Sequence, residues 1–207
     1  MFKQCHRELD GNKAVGINKV TKAEYEVNLE GNISNLLKRL KNKSYKPLPS
    51  LRVFIPKGNG KRRPLGIASY EDKIVQFAVK KILEAIYEPR FLRNMYGFRP
   101  RRGCHDAIKE IHNRMYSGKI NYVVDADIKG FFDHMNYDWS RKYLKAGVIT
   151  DGVFQESVDG SAQGNIMSPI IANIYMHNVL MLWYRIVFSK EIKGDSFLVV
   201  YADDFIV

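Results

Sequence analysis

The chain has 207 residues, 45% hydrophobic and 27% charged, proportions that exclude wholesale disorder and suit one large domain or two small ones with a buried core. Lysine and arginine number 33 against 22 aspartates and glutamates, and a net charge of +11 points to a polyanionic partner, nucleic acid or an acidic membrane. No apolar run approaches the roughly 20 residues that span a bilayer, the polar start Met1–Arg7 lacks a signal-peptide core, and two cysteines exclude a disulfide framework or a cysteine-rich zinc site, so a cytoplasmic protein with no membrane is expected.

The first predicted helix covers Lys22 to Asn42. Thr21 and Glu24 form a capping-box pattern, and Leu29, Ile33, Leu36, Leu37 and Leu40 follow helical spacing on one face. Leu51–Lys57 and Lys61–Ile67 flank Gly58-Asn59-Gly60 and read as a β-hairpin, with Pro56 and Pro64 pushing it toward a sheet edge. A helix from Tyr70 to Glu88 starts at Ser69 and stops at Pro89, with a buried stripe of Ile74, Ala78, Ile82 and Ala85. The next helix spans His105 to Tyr116 with Ala107, Ile108, Ile111 and Met115 in its pattern; Cys104, just ahead, reads as a small core or boundary residue. Composition shifts near Gly118-Lys119, with the basic charge concentrated before it.

The second half opens on a strand, Tyr122 to Ile128, then a helix at 137–146 and a glycine-rich connection. Ser168-Pro169 can start a helix to Phe188 that is apolar nearly all round and is expected to be buried. Strand Phe197–Tyr201, a turn at Ala202-Asp203-Asp204 and a strand from Phe205 close the chain.

Two acidic features stand out in this basic protein. Alternation puts Val124, Ala126 and Ile128 on one face of their strand and Val123, Asp125 and Asp127 on the other. Asp203-Asp204 sits between apolar strands, where a bare turn would also account for it. Buried carboxylates need a partner or a metal, and hard oxygen donors select Mg²⁺ or Mn²⁺. If Asp127 and Asp203 converge they can hold two cations, one activating a 3′-hydroxyl and one neutralising a leaving pyrophosphate. Lys57 and Arg63 flank the hairpin turn and could lie on a triphosphate; a solvated basic turn is the plainer reading of the same residues.

These residues resemble the reverse transcriptases encoded by bacterial group II introns. The matching blocks are Ile55-Pro56-Lys57 with Arg62–Ile67, Glu71-Asp72-Lys73 with Gln76, Tyr96-Gly97-Phe98-Arg99-Pro100, Asp125–Asp133, Gln163-Gly164 leading to Ser168-Pro169 with Ala172–Tyr175, and Tyr201-Ala202-Asp203-Asp204. They fall in the family's order over about residues 10–207.

The resemblance implies an α+β right-hand polymerase: fingers at 1–118, and a partial palm at 119–207 whose antiparallel sheet packs on helices, with the thumb absent. It implies that Asp127, Asp203 and Asp204, with the Ile128 carbonyl, hold two Mg²⁺ (or Mn²⁺) and carry catalysis. Lys57, Arg63, Gln163 and Gly164 would bind the deoxynucleoside triphosphate. Phe132 would act as a sugar gate. Tyr96, Gly97 and Arg99 would lie near the template, with Gly97 permitting a close backbone approach. Asp125 reads as a supporting carboxylate. Implied partners are an RNA template, a DNA primer and group II intron RNA, in mobility and splicing.

The sequence departs from the pattern at Ala162, where the family has proline, and at Asn18-Lys19, where Asp-Gly is commoner. It ends three residues after Asp204, so a fragment or truncated product is expected, with weak or absent polymerase activity alone and self-association through uncovered apolar surface. The rival readings are an RNA-binding module without catalysis and a reverse transcriptase of CRISPR-associated or retron type.

Overall fold

The structure, a computed structural model, describes residues 1–56, 58, 60, 62–118, 120–129, 131, 148–150, 152–155 and 164–207. The helix expected at 137–146 lies outside them, as do Lys57, Phe132 and Gln163. In chain order the main elements are α1 (Phe2–Glu8), α2 (Lys22–Glu26), α3 (Leu29–Lys41), β1 (Ser50–Pro56), β2 (Arg62–Ile67), α4 (Tyr70–Tyr87), α5 (Cys104–Ser117), β3 (Asp125–Asp127), β4 (Val148–Thr150), β5 (Val153–Gln155), α6 (Ser168–Met176), β6 (Val199–Tyr201) and β7 (Asp204–Ile206). Helices with small, mainly antiparallel sheets make this the expected α+β class. Two compact units form, Met1–Lys81 with Phe132–Ser168 and Ile82–Phe131 with Pro169–Val207, so each draws on chain from both sides of Gly118. Among the described residues no helix is long and apolar enough to cross a membrane.

In the first unit, α2 and α3 replace the single helix that spacing predicts over Lys22–Asn42. Thr21 and Glu24 do form the capping box: the Glu24 amide donates to Thr21 Oγ1 at 3.2 Å and the Thr21 amide to the Glu24 carboxylate at 2.8 Å. The helix then breaks because Asn28 leaves the helical region (φ −127°, ψ 48°). The Asn32 side-chain amide takes the Tyr25 carbonyl at 3.0 Å, an acceptor that a continuous helix would give to residue 29. Ile33 packs with Cys5, Tyr25, Tyr70, Ile74 and Ala78, and Leu36 packs with Tyr45 and Val75. Leu37 stays at the rim.

Helix α4 starts from a buried carboxylate. Asp72 is 3% exposed and accepts from the Ser69 hydroxyl at 2.6 Å, the Leu48 amide at 3.0 Å and the Tyr45 hydroxyl. Its own amide donates back to Ser69 Oγ at 3.3 Å, completing the N-terminal cap. Burial pushes the Asp72 carboxyl above its usual range, against the pull of the Ser69, Tyr45 and Leu48 donors. The predicted stripe is buried at Ile74 and Ala78 but open at Ile82 and Ala85, because the helix outruns the cluster on which its first turns pack.

The four strands of this unit's described sheet run β2-β1-β4-β5. β1 and β2 form the expected hairpin, in register from Leu51↔Ile67 to Pro56↔Arg62. Pro64 sits on the edge strand as expected, whereas Pro56 ends an interior strand that pairs in parallel with β4. The β4–β5 hairpin occupies what reads as a glycine-rich connection. Asp151-Gly152 between Val148-Ile149 and Val153-Phe154 is a two-residue hairpin signature, and Gly152 takes the positive φ, +81°, that such turns need.

In the second unit the sheet runs β3-β7-β6, antiparallel throughout. The strand predicted over Tyr122–Ile128 is regular only at Asp125–Asp127, although Val124 and Val207 exchange backbone hydrogen bonds at 2.8 and 2.9 Å. Residues 94–96 run alongside β6 in parallel, with Tyr96 N–H donating to Val200 O at 2.8 Å and Val200 N–H to Asn94 O at 2.9 Å. Helix α5 buries Ala107 against Tyr96 and Val199 but leaves Ile108, Met115 and Cys104 exposed, so Cys104 is a surface residue rather than a core one. Helix α6 continues through π turns at His177–Met181 and Tyr184–Phe188 to Glu191. It is two-faced rather than buried all round. Ile170, Ile171, Ile174, Met181 and Tyr184 face inward, while Tyr175, Val179, Trp183, Ile186 and Val187 remain exposed.

Removing the Asp72 carboxylate should leave three donors without their acceptor, so Asp72→Ala should lower urea-unfolding stability by about 3 kcal/mol. His6 is 1% exposed, hydrogen-bonded through Nδ1 to Tyr70 Oη at 2.9 Å, and burial lowers its pKa from the ordinary 6.5. The unfolded chain therefore takes up this proton first. The His6 contribution is whole above about pH 6.5 and is lost as pH falls toward the lower folded-state value. Denaturation midpoints between pH 7.5 and 5.5 should decline less in His6→Gln than in the parent.

Candidate functional site

The acidic residues gather at one end of the β3-β7-β6 sheet. Asp127 in β3 lies directly opposite Asp204 in β7, which lies opposite Tyr201 in β6. Directly opposed residues share a face, and alternation puts Asp125 on that face too, opposite Ile206. Asp203 occupies the two-residue turn before Asp204. On β6 this face is covered, Val199 and Tyr201 packing with Tyr96, Ala107 and Phe197; on β3 it is open, with Asp125 and Asp127 exposed. Partial burial, then the charges of Asp203, Asp127 and Asp125, hold the Asp204 carboxyl above its usual range.

The expectation of Asp127 and Asp203 converging on cations meets a more specific arrangement: the cross-strand neighbour of Asp127 is Asp204, and among the described residues no three His, Cys, Asp or Glu side chains are grouped to hold a metal. The donor chemistry nonetheless suits a hard cation. The carboxylates of Asp125, Asp127, Asp203 and Asp204 have no salt-bridge partner among the described residues. The Ile128 carbonyl accepts one hydrogen bond, from Phe131 N–H at 3.1 Å, leaving a second lone pair. Phe131 is buried and meets the Tyr175 ring edge-on at 5.7 Å, which ties the end of β3 to α6.

The turn that carries Asp203 is held from below by residues that sequence reasoning placed elsewhere. Ala202 sits at φ +59°, a region that costs a non-glycine residue about 1–2 kcal/mol. A Cβ on Gly97 would fall 2.2 Å from the Ala202 nitrogen, so only glycine fits beneath the turn. The Gly97 carbonyl accepts the buried Asn173 side-chain amide at 2.8 Å. The close backbone approach expected of Gly97 is present, and it is made to the acidic turn. Asn173 belongs to a recognised motif, yet nothing in its spacing shows this contact.

Tyr96 is a core residue, 8% exposed. Arg99 is likewise committed to the fold. Its guanidinium meets the Glu88 carboxylate at 2.8–3.2 Å and the carbonyls of Leu92 and Met95 at 2.8 and 2.9 Å, with a side chain 5% exposed. Four of the five N–H donors that a phosphate was expected to meet are thus held within the fold.

Arg63 and Gly164 lie in the first unit. Arg63 is exposed on β2, opposite Ile55. Gly164 has φ +106°, and a Cβ there would come 2.8 Å from Gly66 O, so its backbone alone fits against the hairpin. The Glu71-Asp72-Lys73 block is architectural in this unit: Glu71 accepts from Arg39 at 2.6 Å and from Tyr25 Oη at 3.3 Å, and Lys73 donates to Ala14 O.

Residues 55–207 match the family described as reverse transcriptase (RNA-dependent DNA polymerase). The group II intron-encoded protein LtrA of Lactococcus lactis subsp. cremoris is 37% identical over 182 residues, covering 78% of this chain and 30% of that protein. Protein YkfC of Escherichia coli K12 is 33% identical over 184 residues, covering 78% of this chain and 48% of its own length. The chain thus spans less than half of either relative. A solved structure titled "Partial Cas6-RT-Cas1--Cas2 complex" superposes on 99% of this chain and 36% of its own, with TM-score 0.52 and 19% identity, a likeness of fold alone.

Gly97→Ala should force the turn to move, with a stability loss of about 3 kcal/mol in chemical denaturation. Arg99→Met should cost a similar amount, about 3 kcal/mol, by stranding Glu88 and two carbonyls. If Arg99 instead contacted phosphate, the change would weaken RNA binding and leave stability intact.

Proposed function

The chain belongs to the reverse transcriptase family, and we propose that it forms the nucleotide-adding portion of a group II intron-type RNA-directed DNA polymerase. The observation that carries the reading is the cross-strand pair Asp127–Asp204 with Asp203 in the adjoining turn, without cationic partners among the described residues at an open sheet end. In a protein of charge +11, carboxylates so placed are unfavourable beside an RNA phosphate path unless cations neutralise them. The similarity to intron-encoded proteins along most of the chain supports the group II type over the other reverse transcriptases.

In this reading Asp127, Asp203 and Asp204, with the Ile128 carbonyl, hold two Mg²⁺ ions, with Mn²⁺ able to substitute. The ions, when bound, would lower the pKa of the primer 3′-hydroxyl and neutralise the departing pyrophosphate. Asp127 and Asp204 supply oxygens side by side from neighbouring strands, and Gly97 and Asn173 keep the turn from yielding to the repulsion between them. Arg63 presents an exposed guanidinium fork to a deoxynucleoside triphosphate, in company with Lys57, Gln163 and Gly164. Phe132, five positions after Asp127, excludes a ribose 2′-hydroxyl. The partners are an RNA template, a DNA primer and the intron's own RNA.

The basic charge favours a second role, salt-sensitive RNA binding without catalysis. Primer extension on an RNA template with deoxynucleotides and Mg²⁺ separates the two. It should be run on the chain and on a chimera in which residues 55–207 replace the matching segment of the Lactococcus lactis relative. Asp203→Ala should reduce incorporation by about 100-fold or more while RNA affinity holds within about threefold. An unchanged rate would show that Asp203 does no catalytic work. Absence of incorporation in every form, with tight RNA binding, would favour the binding module.

A further inference from the structure

A cavity of about 390 Å³ opens in the first unit, between the segment after α1 and the sheet-to-α4 connection. Its walls are largely apolar, among them Val15, Val20, Leu65, Ile67, Phe77 and Ile166. Three of its charged side chains are accounted for in pairs or turns: Glu8 meets Lys81, which lies outside the lining, at 2.6 Å, and Asp10 meets Lys13 at 3.5 Å while accepting the Asn12 amide. Two lysines are different. Lys22 and Lys73 are half-buried at the lining and donate only to backbone carbonyls, Lys22 to Leu9 O at 2.6 Å and Arg7 O at 3.2 Å, Lys73 to Ala14 O. Neither has a carboxylate within ion-pairing distance among the described residues.

An ammonium carries three donors, so Lys73 retains two and Lys22 retains one. Burying cationic donors along an apolar wall without a counter-ion is costly, and desolvation lowers the Lys73 pKa accordingly. Apolar walls with a few convergent polar groups are the usual form of a small-molecule site. We propose that this cavity binds an apolar organic monoanion: an aromatic or branched aliphatic body against the Phe77 and Leu65 wall, and a carboxylate on the Lys73 and Lys22 ammoniums. Every residue of the lining belongs to the first unit, and the test reads ligand affinity rather than nucleotide incorporation.

Calorimetric titration of the whole chain with 2-naphthoate and with its neutral counterpart 2-naphthamide tests this. The carboxylate should bind at least about tenfold tighter, the margin of one charge-assisted hydrogen bond, and Lys73→Met should bring the two affinities together. Lys22→Met should narrow the gap as well, and it decides the matter if circular dichroism shows Lys73→Met unfolded. Equal affinities in the parent, no binding of either compound, or a carboxylate preference that survives in the folded lysine variants would overturn the proposal.

Discussion

Carboxylates set side by side at a sheet end push one another apart, and here the backbone beneath them has to resist. The resisting contact is the packing of Gly97 against Ala202. With no side chain at 97, the backbone of the 94–97 segment reaches the turn, and the Asn173 amide anchors its carbonyl from α6. The parallel pairing of residues 94–96 with β6 carries the same segment along the strand that leads into the turn. Helix α6, the Tyr-Gly-Phe-Arg-Pro block and the Asp-Asp turn thus form one structural unit, and Arg99, locked onto Glu88 and two carbonyls, stiffens the loop in between.

The first unit shows a comparable use of polar groups in architecture. Glu71, Asp72, Lys73 and Gln76 fall in a block whose sequence invites a chemical role. Each instead fastens α4 to something distant: Glu71 to α3 through Arg39, Asp72 to Tyr45 and Leu48, Lys73 to Ala14, and Gln76 to the Ile166 amide at 3.3 Å. The bonds of Glu71, Asp72 and Gln76 are buried or partly buried and so costly to break, and a short motif can define a family through its scaffold as much as through its chemistry.

Much of this was readable from the amino acids. Alternation over 123–128 already separates the acids from the apolar face, and the hairpin at 50–67, the start of α4 and the capping box follow local rules. Cross-strand partners do not. That Asp127 faces Asp204 depends on the register between strands some seventy residues apart, which no local pattern encodes. The contacts of Arg99 are hidden for a related reason, since an arginine in a loop looks free until the fold brings Glu88 and two carbonyls to it. The break between α2 and α3 turns on a single asparagine side chain competing for a carbonyl, too fine a balance for periodicity to register. The β4–β5 hairpin, by contrast, had a local signal in Asp151-Gly152 that the reading as a glycine-rich connection passed over.

Helix α6 has one side sunk in the core, carrying Asn173, and another bare, carrying Tyr175, Val179 and Trp183. The bare surface that Tyr175, Val179 and Trp183 offer to a partner therefore belongs to the same helix whose Asn173 braces Gly97 beneath the acidic turn.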